Sequence, residues 1–279
     1  MEKKIAYIFF KIISCFDLIF KFFLRRSFLI WFPEFISNYQ NIGKMKFYIP
    51  NRLVDWRIKS FYTKEPETLE WIDSFEEGSC FWDIGANIGL YSIYSASKIN
   101  KIKVFSIEPS TSNLRVLSRN ISINSFQDRI SVLPFALSDK KNIHISSLKE
   151  SEFIEGAAEN AFSVNFNWNG DIFNSNNEYN TVGTSIDYLV NNNIIDIPNY
   201  IKIDVDGIEH LILKGGIETL KSKKLKSILI EINDGFEVHN KECIEILKTC
   251  GFKFHQKKHS EMFDNSQYSR VYNYIFKKK

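Results

Sequence analysis

The spacing of apolar and polar positions changes in a regular order along the chain, from the continuous runs typical of buried strands to the spacing of amphipathic helices. Apolar runs predict strands at residues 80–84, 104–107, 130–133, 200–207, 227–232, 252–255 and 272–276. Helical spacing or a helix-start signal predicts helices at residues 66–72, 90–97, 114–121, 185–189, 208–215 and 242–250. Strands that alternate with helices in this way indicate an α/β domain.

The predicted strand Cys80–Ile84 runs into a glycine turn, and the rest of the chain is organised around this junction. Gly85 and Gly89 enclose the turn, and helical spacing begins directly after it. Because glycine has no Cβ, such a turn brings backbone N–H groups and the positive end of a helix close to a ligand. A tight strand-to-helix turn without a ligand is the alternative, since a glycine loop alone is a weak signal.

A carboxylate ends the second predicted strand. Glu108 follows the run at residues 104–107, and its distance from Gly85 along the chain suits a nucleotide-type α/β unit. In such units this carboxylate accepts hydrogen bonds from ribose hydroxyls. A solvated acid at a strand end is the alternative, but the glycine turn and Glu108 together favour a nucleotide site.

Two more carboxylates lie at the end of the strand predicted at residues 200–207. Asp204 and Asp206 stand there beside Gly207 and the start of the next helix. Ligands of open α/β sheets bind at the carboxyl ends of the strands. Both side chains are therefore candidates for contact with a ligand.

The amino-terminal segment follows a different pattern. Residues 3–25 place basic and bulky apolar side chains on opposite faces of a helical wheel, which predicts an amphipathic helix. Lys11, Asp17 and Lys21 interrupt the apolar residues too often for a membrane span. The pattern fits two partners for this helix, an anionic membrane surface and a protein surface.

Two other segments lack clear periodicity. Residues 27–62 are typical of an irregular adapter with short strands, and residues 142–180 form an asparagine-rich insertion. We expect the insertion to face the substrate, with Phe162, Phe166 and Trp168 as candidate contacts. The alternative is a variable surface loop that folds over its own aromatic residues.

Charge and cysteine content narrow the class of partner. The net charge of +3 is too small to indicate a nucleic acid partner, and the sequence has no basic patch interleaved with aromatic residues. Cys15, Cys80, Cys243 and Cys250 have neither metal-ligand nor redox spacing. We expect core thiols and a reducing, cytoplasmic location.

These motifs together resemble the FkbM-type methyltransferases, which use S-adenosylmethionine. The resemblance covers roughly residues 60–235, and its most specific motif is Lys-Ile-Asp-Val-Asp-Gly-Ile-Glu at residues 202–209. The family commonly has Glu at the position of Asp206. Further matching motifs lie at residues 83–89, 108–109, 113–124, 136–138, 185–187 and 213–215.

The resemblance implies a class I methyltransferase fold, in which helices cover both faces of a doubly wound, mostly parallel, seven-stranded sheet. It implies O-methylation, often of sugars or secondary metabolites, with S-adenosylmethionine as the cofactor. Asp83 would then orient the methionine end of the cofactor and Glu108 would hold its ribose. The residues expected to bind the cofactor are Asp83, Gly85, Asn87, Gly89, Glu108, Ala136 and Leu137.

A positioned base assists methylation of a hydroxyl because it takes the proton as the oxygen attacks. Our candidates for the catalytic groups are Asp204, Asp206 and Glu209. Asp204 is the first choice because it ends the strand nearest the expected methyl position, and Asp206 is the second. Glu209 alternatively caps its helix or braces the loop. His210 is a further candidate, and its alternative is an ordinary surface histidine.

Other functions stay open at this stage. An NAD(P)-dependent oxidoreductase shares the layout but needs G-x-G-x-x-G, whereas this turn has only two glycines. An N-methyltransferase often carries an Asn/Asp-Pro-Pro-aromatic motif, which is replaced here by residues 204–207. We assign no metal site, although a metal-assisted enzyme would use Asp204, Asn233 and Asp234 as oxygen ligands. A non-catalytic, membrane-peripheral scaffold on the same fold is the last alternative.

We therefore expect an amino-terminal helix and adapter at residues 1–60, followed by a methyltransferase domain at residues 61–279 that contains the insertion. The expected partner is a small-molecule or glycan acceptor and not a nucleic acid. Contact of residues 3–25 with the inner face of a membrane and assembly into a homo-oligomer both stay open.

Overall fold

The computed structural model describes residues 7–8, 11–12 and 39–278. Contacts divide the chain into Met1–Tyr39 and Gln40–Lys279. The four described residues of the predicted helix at 3–25 are helical, and the remainder of that prediction lies outside the described residues. Within the described ranges, no helix combines the length and the apolar character that crossing a membrane requires.

The second unit begins with a short hairpin and three helices. These elements are β1 (Tyr39–Ile42), β2 (Met45–Tyr48), α1 (Arg52–Lys59), α2 (Phe61–Lys64) and α3 (Pro66–Asp73). Strands and helices then alternate as β3 (Cys80–Ile84), α4 (Leu90–Lys98), β4 (Lys103–Ile107), α5 (Thr111–Ile123) and β5 (Ile130–Leu133). A group of strands follows as β6 (Ala136–Leu137), β7 (His144–Glu150), β8 (Ala161–Phe162) and β9 (Asn177–Thr184).

The carboxyl-terminal part returns to alternating elements. They are α6 (Ile186–Asn191), β10 (Tyr200–Ile203), α7 (Glu209–Lys214), α8 (Ile217–Lys221), β11 (Ser227–Asn233), α9 (Glu237–Thr249), β12 (Phe252–Lys258) and β13 (Val271–Lys278). The strands predicted in this part are present, but the one predicted at residues 200–207 ends at Ile203, and the last helix begins earlier than predicted, at Glu237.

Seven strands form the central sheet in the order β12-β13-β11-β10-β3-β4-β5. Only β13 runs antiparallel to its two neighbours, β11 and β12, and the other adjacent pairs are parallel. This sheet confirms the predicted class I, doubly wound fold. The chain runs outward from β3 to β5 and then returns to β10 on the other side of β3. The carboxyl ends of β3 and β10 therefore flank the switch point, where open α/β sheets bind ligands.

Helices cover both faces of this sheet because side chains alternate along its buried strands. Phe81 packs on the face with α1 to α5, whereas Trp82 packs on the opposite face with α6 to α9, and neither side chain is exposed. Cys80, Cys243 and Cys250 are buried free thiols, as predicted. Two apolar layers hold the strand ends in fixed positions.

Two segments that lack clear periodicity contain more regular structure than the sequence predicts. Residues 52–64 form helices, and α1 has an ordinary cap, because the Asn51 side chain accepts a hydrogen bond from the Val54 N–H at 2.9 Å. The insertion contains β7, β8 and the first half of β9, which join β6 in a second sheet of order β6-β9-β7-β8. One face of β7 and β9 is partly exposed, so neither strand has a continuous apolar run.

Candidate active site

A cavity of about 630 Å³ opens at the switch point. Its volume lies in the range of small-molecule sites. Five of the seven predicted cofactor residues line it, and they are Gly85, Asn87, Glu108, Ala136 and Leu137. Asp83 and Gly89 do not reach its surface. The cavity also contains all three predicted catalytic carboxylates, Asp204, Asp206 and Glu209.

The glycine turn is shaped so that only glycine fits its first position. Gly85 has φ +80, and a Cβ placed there would lie 1.8 Å from the Asp204 carbonyl oxygen. Asn87 also has a positive φ, of 50, and donates from Nδ2 to the Ala157 carbonyl at 2.8 Å. Asparagine tolerates this backbone region better than most residues. The turn is therefore held between β10 and the insertion.

Asp83 lies beneath the turn and is 1% exposed. Its Oδ2 accepts a hydrogen bond from the Ser92 hydroxyl at 2.6 Å, whereas its Oδ1 has no partner among the described residues. Burial raises the pKa of Asp83, although the nearby Lys202 ammonium acts in the opposite direction. A buried carboxylate oxygen without a partner is costly unless a ligand or an ordered water supplies one.

Glu108 extends from the end of β4 into the cavity wall. Its carboxylate accepts hydrogen bonds from the backbone N–H groups of Asn87 at 2.8 Å and Ser110 at 2.9 Å. Burial raises the pKa of Glu108 to about 7, against the effect of these hydrogen bonds. A carboxylate has about four lone-pair sites, so acceptor capacity remains for a ligand hydroxyl. The position fits the ribose-binding role that the sequence predicts.

Asp204 is paired with a buried lysine. Lys202 is 1% exposed, donates to Asp204 Oδ2 at 2.6 Å, and lies 4.8 Å from the centre of the Tyr91 ring. Burial disfavours the charge of Lys202, but the carboxylates of Asp204, Glu65 and Asp83 outweigh it and raise the pKa of the lysine. The ammonium is therefore a fixed positive charge that binds the Asp204 carboxylate.

Asp206 adopts a left-handed backbone conformation, with φ 64. Its Oδ2 accepts hydrogen bonds from the backbone N–H groups of Glu159 at 2.8 Å and Asn160 at 3.4 Å. Burial, followed by the charges of Asp204 and Glu209, raises the pKa of Asp206 to about 7. A carboxylate with such a pKa takes up and releases protons near neutral pH.

Glu209 braces the loop that carries these two aspartates. Its carboxylate accepts from the N–H groups of Val205 at 3.1 Å and Gly207 at 3.0 Å, and it contacts His239 Nε2 at 2.6 Å. The structure thus gives Glu209 the bracing contacts that were the alternative to its catalytic role. Its neighbour His210 is not a surface histidine, since it is 6% exposed among aromatic rings.

One carboxylate near this loop was missed by the sequence analysis. Glu231, on β11, brings an oxygen within 4.8 Å of oxygens of Asp204 and Asp206. Two of the metal ligands considered from the sequence, Asn233 and Asp234, are engaged elsewhere. Asn233 Oδ1 accepts a hydrogen bond from the Gly235 N–H, and Asp234 accepts one from the Tyr274 hydroxyl. The sequence feature that could have identified Glu231 is its position near the end of the strand predicted at residues 227–232.

The three aromatic residues suggested for the insertion have different environments. Phe162 is a core residue, 3% exposed, and Phe166 packs against the rings of His210 and Phe236. Phe162 and Trp168 both line the cavity, and the ring centre of Trp168 lies 5.0 Å from that of Tyr268. The sequence pattern did not indicate Tyr268, which is contributed by the segment before β13.

Comparison with known proteins agrees with this geometry. Residues 83–254 match the sequence model of a family described as the Methyltransferase FkbM domain, which spans more than half of the chain. A hexuronic acid methyltransferase, AglP, from Haloferax volcanii is 24% identical over 188 residues, which cover 65% of this chain and 67% of AglP.

Two solved methyltransferase-related structures are similar to this chain at low sequence identity. A methyltransferase FkbM from Methylobacillus flagellatus has a TM-score of 0.48 at 18% identity, covering 73% of this chain and 44% of that one. Aeropyrum pernix fibrillarin, solved with S-adenosyl-L-methionine, has a TM-score of 0.45 at 11% identity, covering 77% of this chain and 75% of that one. The family assignment rests on the match of residues 83–254.

Proposed function

This chain belongs to the FkbM methyltransferase family, and from that premise we propose that it transfers the methyl group of S-adenosylmethionine to a hydroxyl group of a sugar. Membership of the family argues against the oxidoreductase. One observation carries the proposal: a single cavity is lined by the glycine turn, by Glu108, and by Asp206. The name of the relative AglP, a hexuronic acid methyltransferase, supports a sugar acceptor.

The residues at one end of the cavity fit the cofactor. Glu108 would accept hydrogen bonds from the ribose hydroxyls, and Gly85, which packs against the Asp204 carbonyl because it has no Cβ, lines the cavity beside it. The unpartnered Oδ1 of Asp83 supports a role for this carboxylate beneath the methionine end. When bound, S-adenosylmethionine supplies a methyl group on a positively charged sulfur that leaves as a neutral thioether.

The other end of the cavity supplies a base. We assign this role to Asp206 in preference to Asp204, because Lys202 binds the Asp204 carboxylate whereas the pKa of Asp206 is about 7. As the acceptor oxygen forms its bond to the methyl carbon, its proton passes to Asp206. Such a base contributes about 10²–10⁴-fold to the rate. Alignment of the oxygen with the methyl carbon contributes further.

A transfer assay tests this function. The full chain is incubated with S-adenosylmethionine that carries an isotopic label in its methyl group, together with extracted cell glycans or simple methyl glycosides. We expect label in a sugar product, attached as a methyl ether that survives mild alkali. Label that mild alkali removes would indicate a methyl ester of a sugar carboxylate and would contradict transfer to a hydroxyl. Absence of cofactor binding in titration calorimetry would contradict the whole proposal.

A further inference from the structure

We propose that Trp168 and Tyr268 form a platform on which the ring of an uncharged pyranose acceptor lies, beside Asp206. This inference rests on the proposed function and narrows its substrate class. Both aromatic side chains line the cavity, both are partly exposed, and their ring centres are 5.0 Å apart. They come from different segments, the insertion and the loop before β13, which meet at the Asp206 loop.

The backbone of Trp168 is fixed against the motif that carries the base. Gly207 packs so closely that a Cβ placed there would lie 2.8 Å from the Trp168 Cα. The Asn233 side chain donates from Nδ2 to the Trp168 carbonyl at 3.2 Å. These contacts hold the start of the indole side chain at a set distance from Asp206, the residue before Gly207. A platform for a reacting sugar needs this precision, since methyl transfer depends on alignment.

Tyr268 is connected to Asp206 through hydrogen bonds that Glu159 makes to both residues. Its hydroxyl donates to the Glu159 carboxylate, and the Glu159 backbone N–H donates to Asp206 at 2.8 Å. Both Glu159 and Asp206 have positive φ values, of 61 and 64. Strained non-glycine residues of this kind persist where surrounding contacts hold them, and they cluster at ligand sites.

The chemistry of the platform suits a pyranose ring. One side of a pyranose presents C–H groups and its rim presents hydroxyls, so it combines an apolar face with a polar edge. Aromatic rings offer the matching apolar surface, and tryptophan adds an N–H donor. The Nε1 of Trp168 has no hydrogen-bond partner among residues 39–278, which leaves this donor free for a rim hydroxyl.

The charges around the platform favour an uncharged sugar. The carboxylates of Asp206, Glu159 and Glu231 line this end of the cavity. The lysines that line the cavity are paired with carboxylates, Lys64 with Glu65 and Lys202 with Asp204, whereas Arg57 donates from Nε to the Gly156 carbonyl. A hexuronate at this position would bring its carboxylate towards the carboxyl groups of Asp206, Glu159 and Glu231, which disfavours it relative to a neutral sugar.

Binding of simple glycosides tests the inference without turnover. The full chain is saturated with S-adenosylhomocysteine and probed by saturation-transfer NMR with neutral methyl pyranosides of glucose, galactose and mannose. The methyl glycoside of glucuronic acid is the charged comparison. We expect saturation of ring C–H protons in at least one neutral glycoside, with affinity for the glucuronide at least tenfold lower. Equal or tighter binding of the glucuronide overturns the inference.

Substitutions of Trp168 test whether this residue forms the platform. We expect Trp168→Ala to weaken the neutral glycoside at least tenfold and Trp168→Phe to stay within about threefold of the parent chain. The control is Trp56→Ala, because Trp56 lines the same cavity but is 43% exposed and far from Asp206 in the chain. Normal binding by Trp168→Ala, or loss confined to Trp56→Ala, overturns the inference. Cofactor titration and the transfer assay on the same proteins show separately whether the methyltransferase function itself stands.

Discussion

The Nε2 atom of His239 lies 2.6 Å from Oε2 of Glu209, and both side chains are 1% exposed. This contact links α9 to the loop that carries Asp204 and Asp206, because the other bonds of Glu209 go to the backbone of that loop. The position of the proposed base thus depends on a histidine 30 residues further along the chain.

Replacement of His239 should therefore destabilise the protein. In His239→Ala the Glu209 carboxylate would stay buried without its partner, and removal of one partner of a buried pair costs about 3–5 kcal/mol. Urea unfolding would measure the decrease in the free energy of unfolding. The control is His255→Ala, since His255 is exposed on β12 and its loss should change stability by less than about 0.5 kcal/mol. Similar stabilities of the two variants would contradict a structural role for the pair.

Stability should also fall in mild acid because of His210. Burial, followed by the charge of His239, lowers the pKa of His210 to about 4 from the ordinary 6.5. Below pH 6.5 the unfolded chain takes up this proton and the folded chain does not, so folding stability decreases as the pH falls from 6.5 towards 4. The decrease should be at most about 3.5 kcal/mol, at about 1.4 kcal/mol for each pKa unit.

The His210→Gln variant isolates this effect from the other titrating groups. Glu242, whose carboxylate lies 3.9 Å from the imidazole, and His239 face the same position in both proteins. Urea midpoints at pH 7.5 and pH 5 should therefore differ less in His210→Gln than in the parent chain. An unchanged difference would assign the acid sensitivity to other groups.

Gly85 should tolerate no side chain. A Cβ at this position would lie 1.8 Å from the Asp204 carbonyl oxygen, so Gly85→Ala must displace β10 or the turn. We expect loss of measurable cofactor binding in calorimetry and a lower thermal midpoint. Gly78 is a matched control, because it has φ +68 but no atom lies within 4 Å of its added Cβ. Gly78→Ala should cost only the backbone strain of about 1–2 kcal/mol and leave cofactor binding intact.

Glu108 should contribute to cofactor affinity more than to folding. In Glu108→Gln the ribose hydroxyls would lose a charged acceptor, which costs about 1.5–3 kcal/mol. This loss corresponds to roughly 10- to 150-fold weaker binding in titration calorimetry. The exposed Glu77 provides the control, since Glu77→Gln should bind the cofactor as the parent chain does. Unchanged cofactor affinity in Glu108→Gln would contradict a hydrogen bond between this carboxylate and the ribose.

The sequence was sufficient for features that depend on neighbouring residues. The strand Cys80–Ile84 is apolar because both faces of the sheet are covered, and the turn after it requires glycine for steric reasons alone. The position of Glu108 at the cavity could be predicted because it follows from a fixed spacing after that turn. Each of these inferences uses information within about 25 residues.

The sequence was insufficient where a contact depends on the final packing of distant segments. Glu231 meets Asp204 only because β11 lies beside β10, and Tyr268 meets Trp168 only because two separate loops converge. The strands of the insertion were missed for a related reason, since a half-exposed strand has no continuous apolar run. The cap at Asn51 was a local signal that was available and not used.

The rate of methyl transfer should depend on the ionisation of Asp206. Burial and the charges of Asp204 and Glu209 give this group a pKa of about 7, so turnover at saturating substrates should rise with pH and level off above about pH 8. Because the cofactor is saturating, a change in cofactor affinity caused by the ionisation of Glu108 does not affect the measured turnover. Asp206→Asn should lower turnover at least tenfold and abolish this rise, while the cofactor affinity changes by less than threefold.

Asp204→Asn is the comparison that separates the two aspartates. It removes a negative charge that raises the pKa of Asp206, so the rise in turnover should persist but move to lower pH. The direction of this movement is the sharpest test, because a base at position 204 would make the rise disappear in Asp204→Asn and persist in Asp206→Asn. If the rise persists at the same pH in both variants, neither aspartate is the base. In that case alignment of the acceptor by the cavity would have to account for the rate.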